Sequence, residues 1–263
     1  MRNAALLFAL ALLSCSPAGD AEQAAQAPEP AAPTVLRVLT GGAVQEILRE
    51  LAAEFAAENG VELMVENATA GQIRQRVEGG EMPDIVVISE AVITVLAQGG
   101  HVAPEITPVG RVGVGVAIRT GETAPAIATV EEFRDALLSV DRVAYMDPAG
   151  GSTSGAHFAG VLQQMGIADE VNADAVLVAG GYSAERVANG EADIAVQQVS
   201  ELLAVPGVQV IGMLPDELQA YTTYSAAIGA HAVQPELAAE FIAFLTRAEW
   251  RPRWEPSGVL PPN

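Results

Sequence analysis

The sequence predicts an α/β protein of two lobes, with mixed, mostly parallel sheets flanked by helices and a ligand cleft between the lobes. Three observations predict it. Runs of β-branched and apolar residues alternate with segments of helical periodicity, glycine pairs punctuate them, and the alternation passes through two successive series. No internal repeat is visible.

The first series opens with the apolar run 35–40, broken by Gly41 and Gly42. Val44, Ile47, Leu48, Leu51 and Phe55 then recur at helical spacing until Asn59 and Gly60 stop the helix. Residues 61–65 read as the next strand, Ile73 and Val77 mark a short helix, and 84–88 form an apolar strand entered from Pro83. Val92, Val95 and Leu96 mark a helix closed by Gly99 and Gly100. Residues 111–118 form another strand, after which Thr129 and Glu132 make a capping box for a helix carrying Phe133, Leu137 and Leu138. The second series follows: strand 143–146, loop 147–155, a helix with Val161, Leu162 and Met165, and strand 175–178 ending at Gly180 and Gly181. A helix at 183–188 leads into strand 194–196, and the short apolar runs 208–213 and 222–228 come next. The last helix starts at Pro235, a residue favoured in a first turn, and buries Leu237, Phe241, Phe244 and Leu245.

Composition narrows the function. Of 263 residues, 13 are basic, all of them arginine, and 33 are acidic, for a net charge of −20. A nucleic acid would need clustered Lys and Arg, and none exists, so no nucleic-acid partner is expected. Half the residues are apolar and 17% are charged, which describes a folded domain rather than an acidic disordered chain. One cysteine gives no disulfide framework. That cysteine follows Arg2, the apolar stretch 4–13 and Ser14, the layout of a secretory leader, and about ten apolar residues are too few to span a bilayer. The run Leu12-Leu13-Ser14-Cys15 resembles a bacterial lipobox. Residues 1–14 are therefore expected to be a lipoprotein signal peptide, Cys15 the lipidated residue, and the Ala-, Pro-, Gln- and Glu-rich segment 15–33 a flexible tether.

Four glycine-rich loops fall at carboxyl ends of predicted strands, the edge where open α/β sheets bind ligands. They supply the candidate ligand-binding residues Thr40, Gly41, Gly42, Ala43, Thr69, Ala70, Gly71, Ser152, Thr153, Ser154, Gly155, Gly180, Gly181 and Tyr182. Helix N-termini there present unpaired amides and a partial positive charge, so an oxyanion can be held without a cationic side chain. Each loop taken singly also suits an ordinary βα turn; four together favour a site. The loop 150–155 is no P-loop, since no Gly-Lys-Ser/Thr follows, and no nucleophile elbow, since Thr153 stands where serine would be. Gln197 and Gln198 are adjacent on a strand and face opposite ways, so at most one of them is a pocket residue. His101, His157 and His231 show no metal-ligand spacing, and Ser152 or Ser154 with His157 lacks a base-orienting partner. No catalytic residue, metal or cofactor is expected.

Leu36-Arg37-Val38-Leu39-Thr40-Gly41-Gly42, Gly71 with 73–80, Asp84-Ile85-Val86-Val87-Ile88-Ser89, the Asp147-Pro148 loop with Ser154-Gly155, and Gly190-Glu191-Ala192-Asp193 together resemble the periplasmic molybdate-binding proteins of ABC importers, over about 35–258. The resemblance implies a type II periplasmic binding fold with crossovers near 111–118 and 221–228. Lobe 1 would be 34–112 plus 229–263, and lobe 2 would be 113–228. That family coordinates its oxyanion through serine hydroxyls, amides and a tyrosine. The first-loop serine position matches Ala43, the second falls at Ala70 beside Thr69, the third-loop position matches Ser154, and the tyrosine position matches Gln198. Thr40, Thr69, Ser152, Thr153 and Ser154 would replace the missing donors.

The expected function is that of a monomeric solute-binding lipoprotein, anchored by lipid to a membrane of the bacterial envelope. It would deliver molybdate or tungstate to an ABC permease in the inner membrane, without catalysis. The alternative keeps the fold and binds a different small organic anion or neutral metabolite, for uptake or sensing. A net charge of −20 does not forbid an anion, because salt screens charges beyond about 8 Å. It requires the anion to be small and enclosed.

Overall fold

A computed structural model describes residues 34–262. The expected leader, Cys15 and the tether lie outside the described residues. Strand and helix alternate through β1 (Val35–Gly41), α1 (Gly42–Asn59), β2 (Glu62–Ala68), α2 (Ala70–Glu78), β3 (Ile85–Ser89), α3 (Glu90–Gln98) and the long β4 (Thr107–Arg119). The second series comprises α4 (Val130–Leu138), β5 (Val143–Met146), α5 (Thr153–Gln164), α6 (Ala168–Ala173), β6 (Val176–Val178), α7 (Ala184–Ala188), β7 (Ile194–Gln198) and α8 (Val199–Leu203). Then come β8 (Val208–Met213), β9 (Tyr221–Ile228), α9 (Pro235–Leu245) and α10 (Arg251–Trp254).

The α/β, two-lobed expectation is met. The strand order is β2-β1-β3-β9-β4-β7-β5-β6, with β8 paired to β4. β1 is parallel to β2 and β3, and β5 is parallel to β6 and β7, so two parallel cores lie at the ends of this path. β4 joins them: Thr107–Gly113 pairs antiparallel with β9, and Val114–Arg119 pairs with β7 and β8. The first crossing therefore falls at Gly113 and Val114, inside the expected 111–118. The second falls earlier than expected. β9 pairs with β3 from Ile85↔Ile228 to Ser89↔Tyr224, so 221–228 is an interior strand of the first sheet and the chain recrosses just before it.

The pairing fixes where the site can be. Gly41 is opposite Ala68 in the β1–β2 register, and Met146 is opposite Val178 in β5–β6. The carboxyl ends of the parallel strands thus meet at one edge of each sheet. Each sheet is held by apolar clusters, one around Leu48, Leu51, Phe55, Phe241 and Phe244, another around Phe133, Tyr145, Phe158 and Val196. The Phe241 ring is fully buried and its centroid is 5.1 Å from that of Phe55. Phe241→Ala should cost about 3–5 kcal/mol, read as a lowered urea midpoint; an unchanged midpoint would mean that α9 does not anchor the first lobe. No helix among the described residues is long and apolar enough to cross a membrane.

Candidate functional site

Three helices start at the shared edge, and their first turns differ in how their amides are used. The first four N–H groups of a helix have no intrahelical acceptor. α1 begins after Gly41 with no side-chain cap, so its first amides, at Gly42, Ala43 and Val44, keep their donors. α2 is closed by a capping box: the Thr69 hydroxyl accepts from Gln72 N–H at 3.1 Å, and the Gln72 side chain accepts from Thr69 N–H. α5 is capped by Ser152, whose Oγ accepts from Gly155 N–H and lies 3.3 Å from Ser154 Oγ.

These starts surround a cavity of about 120 Å³. Ten of the sequence candidates line it: Gly41, Gly42, Thr69, Ala70, Ser152, Thr153, Ser154, Gly180, Gly181 and Gln198. Five do not. Thr40 is buried and its hydroxyl donates to Gly41 O at 3.2 Å. Ala43 is buried in the first core, and Gly155 packs against Met146 O. The Gly71 N–H donates to Gly151 O at 3.1 Å, and a Cβ on Gly71 would lie 2.7 Å from Gly151 Cα. Tyr182 donates its hydroxyl to Glu46 Oε1 at 2.9 Å and accepts from the Gln45 amide, so it ties the loop after β6 to α1. Burial and the Glu46 carboxylate keep this phenol well above its ordinary range.

The hydroxyls have fewer spare protons than their number suggests. The Thr69 hydroxyl donates to Gly150 O at 2.6 Å, which draws loop 147–155 against α2. Ser152 and Ser154 share one proton between them. What remains for a ligand is one hydroxyl of that pair, the Thr153 hydroxyl, and the amides of Ala70, Thr153, Ser154 and the first turn of α1. His157 is turned away, its Nε2 lying 2.8 Å from Leu218 O.

Gln197 and Gln198 do diverge. The buried Gln197 Oε1 accepts from Ser183 N–H and Oγ–H and its Nε2 donates to Gly181 O, which holds the fourth loop in place. Gln198 spans the crossing: its Nε2 donates to Val112 O and Gly113 O at 3.1 Å each, and its Oε1 accepts from Thr222 Oγ1–H at 3.0 Å. Both crossing strands are thus pinned beneath the cavity.

Six lining residues had no signal in the sequence reading: Asn67, Ala68, Gln72, Met146, Glu201 and Tyr224. Glu201 matters most. It stands on α8 just past β7, and its carboxyl lies against Gly42, where a methyl group would overlap it. The residue as a whole is half-buried, and desolvation of its carboxyl pushes the pKa up to about 8, partly offset by the Gln197 amide. No arginine or histidine lines the cavity. Tyr224 is buried beside Gly41, and its phenol is raised by burial and by the nearby Glu201. Among the described residues no group of three or more His, Cys, Asp or Glu could hold a metal ion.

A cavity walled by strand ends of two α/β lobes, floored by the segments that join them and lined with amides and hydroxyls, defines a clamp for one small solute. The chain belongs to the bacterial extracellular solute-binding protein family, whose model matches residues 36–260. It is 30% identical over 235 residues to an aconitate isomerase from Pseudomonas sp., covering 87% of this chain and 88% of that one. It superposes on the periplasmic molybdate-binding protein of Azotobacter vinelandii with a TM-score of 0.73 at 17% identity, covering 87% and 100% of the two chains. The tungstate-binding protein of Desulfovibrio alaskensis gives a TM-score of 0.60 at 17% identity, with 88% and 99% covered. The fold is that of the type II periplasmic binding proteins.

Proposed function

We propose that this protein is a periplasmic solute-binding protein of the ABC-importer type whose cleft takes a small organic anion bearing more than one carboxylate. The observation that carries this reading is the pairing, in one cavity without a cation, of unpaired helix-start amides with the Glu201 carboxyl set against Gly42. The amides suit one carboxylate, and the Glu201 acid donates to a second ligand oxygen.

Molybdate or tungstate, which the sequence resemblance implies, fits less well. Such a dianion needs donors on every side. Ala43 and Ala70 stand where that family has serines, and the Thr40 and Thr69 hydroxyls are spent on Gly41 O and Gly150 O. Each hydrogen bond to a charged group contributes about 1.5–3 kcal/mol, so two missing donors weaken binding by roughly a hundredfold or more. The 30% identical relative is named for aconitate, an unsaturated tricarboxylate, which belongs to the proposed class of anions with more than one carboxylate.

Calorimetry and melting curves with cis-aconitate, trans-aconitate, citrate, molybdate, tungstate and sulfate test the reading. At a hundredfold excess over Kd the bound anion should add about 2.7 kcal/mol, roughly 5–10 °C in melting temperature. Shifts with the carboxylates alone are expected. A shift with molybdate or tungstate alone would overturn the carboxylate reading, and no shift with any would overturn both. In the cell, the lipobox-like run 12–15 supports a lipid anchor on Cys15, with 15–33 as tether and an inner-membrane permease as partner. Cys15→Ser should then move the protein from the membrane fraction to the soluble periplasm; unchanged fractionation would refute the anchor.

A further inference from the structure

An acid in an anion-binding cleft needs an explanation beyond binding. When ionised it repels the ligand, and when protonated it gives one hydrogen bond that a glutamine would give at any pH. What a carboxyl does and an amide cannot is exchange a proton. Glu201 lines the cavity with no cationic partner, and the absence of a side chain at Gly42 leaves room for its carboxyl beside the uncapped start of α1. Tyr224 lines the same cavity from β9, with its ring against Gly41.

We propose that Glu201 is a catalytic acid–base residue and that the cleft moves a proton between two carbons of a bound unsaturated polycarboxylate, interconverting its double-bond isomers. This rests on the carboxylate reading of the cleft. In the step, the Glu201 carboxylate removes a proton from a methylene carbon that lies between a carboxylate and the double bond. The freed C–H pair becomes the new double bond. The old double-bond pair takes the proton back from Glu201 at the far carbon. One C–H bond breaks and one forms, no electron is gained or lost, and Glu201 ends as it began, so no cofactor is needed. The charge that spreads onto the substrate carboxylates in between is met by the amides at the start of α1 and of α5, donors already fixed by the fold. The raised pKa makes the ionised Glu201 a stronger base than an ordinary carboxylate, and the fraction ionised beside a bound ligand grows as the pH rises.

The test uses the full chain with cis-aconitate in heavy water at pH 8, followed by proton NMR, alongside melting curves under the same conditions. The wild-type protein should produce trans-aconitate or replace the methylene protons by deuterium. Glu201→Gln should keep the ligand-induced melting shift and lose at least a hundredfold in that rate, with Glu201→Asp recovering part of it. Binding by the wild type without conversion or exchange would overturn the catalytic assignment and leave the carboxylate reading standing. Conversion by Glu201→Gln at the wild-type rate would overturn the role of Glu201. Absence of any melting shift would overturn both.

Discussion

Gly71→Ala should weaken binding of the carboxylate ligand by about ten- to a hundredfold while leaving the fold intact. The added Cβ would lie 2.7 Å from Gly151 Cα, closer than side-chain carbons approach backbone. Nothing on either side can rotate away, because both contacts are main chain, and Gly151 itself has a positive φ of 71°. The α2 start and loop 147–155 must separate. Separation breaks the Gly71 N–H bond to Gly151 O and the Thr69 hydroxyl bond to Gly150 O, together about 1–3 kcal/mol. The same change favours the helix itself, by up to about 1 kcal/mol. Calorimetry should therefore show a raised Kd, with a melting temperature of the free protein that is equal or lower. An unchanged Kd would mean that the two loops need not touch when the ligand is held.

The second large effect is on pH. Once the ligand's own carboxyls are ionised, binding should be level up to about pH 7 and weaken through about 8, approaching tenfold per unit above it. The sign follows from Glu201: its pKa is already pushed up to about 8 by burial, and an anion bound beside it raises it further, so binding above 8 takes up a proton. The groups that face Glu201 do not mask this. Tyr224 and Tyr182 are both held above the ordinary phenol range, so they stay neutral across the window. Glu46, on α1, accepts the hydrogen bond of the Tyr182 hydroxyl. Free of ligand, the same group makes the protein lose stability as pH rises from about 4.5 to about 8, because the folded state holds the proton more tightly than the unfolded chain. Glu201→Gln should flatten both curves, and a wild-type affinity that is level from pH 6 to 9 would contradict a titrating acid in the cleft.

Much of the fold was legible because strand, glycine loop and helix are local patterns. The run 35–40 with Gly41 and Gly42, and the Thr129–Glu132 capping box, each appear in the structure where the spacing puts them. α8 was not legible: residues 199–203 continue directly from β7 with no break, and five residues show no helical period. Glu201 went unseen with it. Tyr224 escaped for another reason. It lies on β9, which runs antiparallel to β3 and brings a mid-strand residue to the site, whereas the rule applied looks only past carboxyl ends. Thr40, Thr69 and Tyr182 were legible as polar groups near the cleft, but a sequence does not tell which hydroxyls are already donating to the protein. Their partners, Gly41 O, Gly150 O and Glu46, emerge only from packing.

The central claim is that one ligand bridges the helix-start amides and the Glu201 acid. A crystal structure grown with trans-aconitate or citrate tests it most directly. The account predicts one ligand carboxylate within hydrogen-bond distance of the Thr153 and Ser154 amides and another reaching the Glu201 carboxyl. A ligand bound elsewhere, or a carboxylate-soaked crystal whose cleft accepts only a tetrahedral inorganic anion, would contradict it.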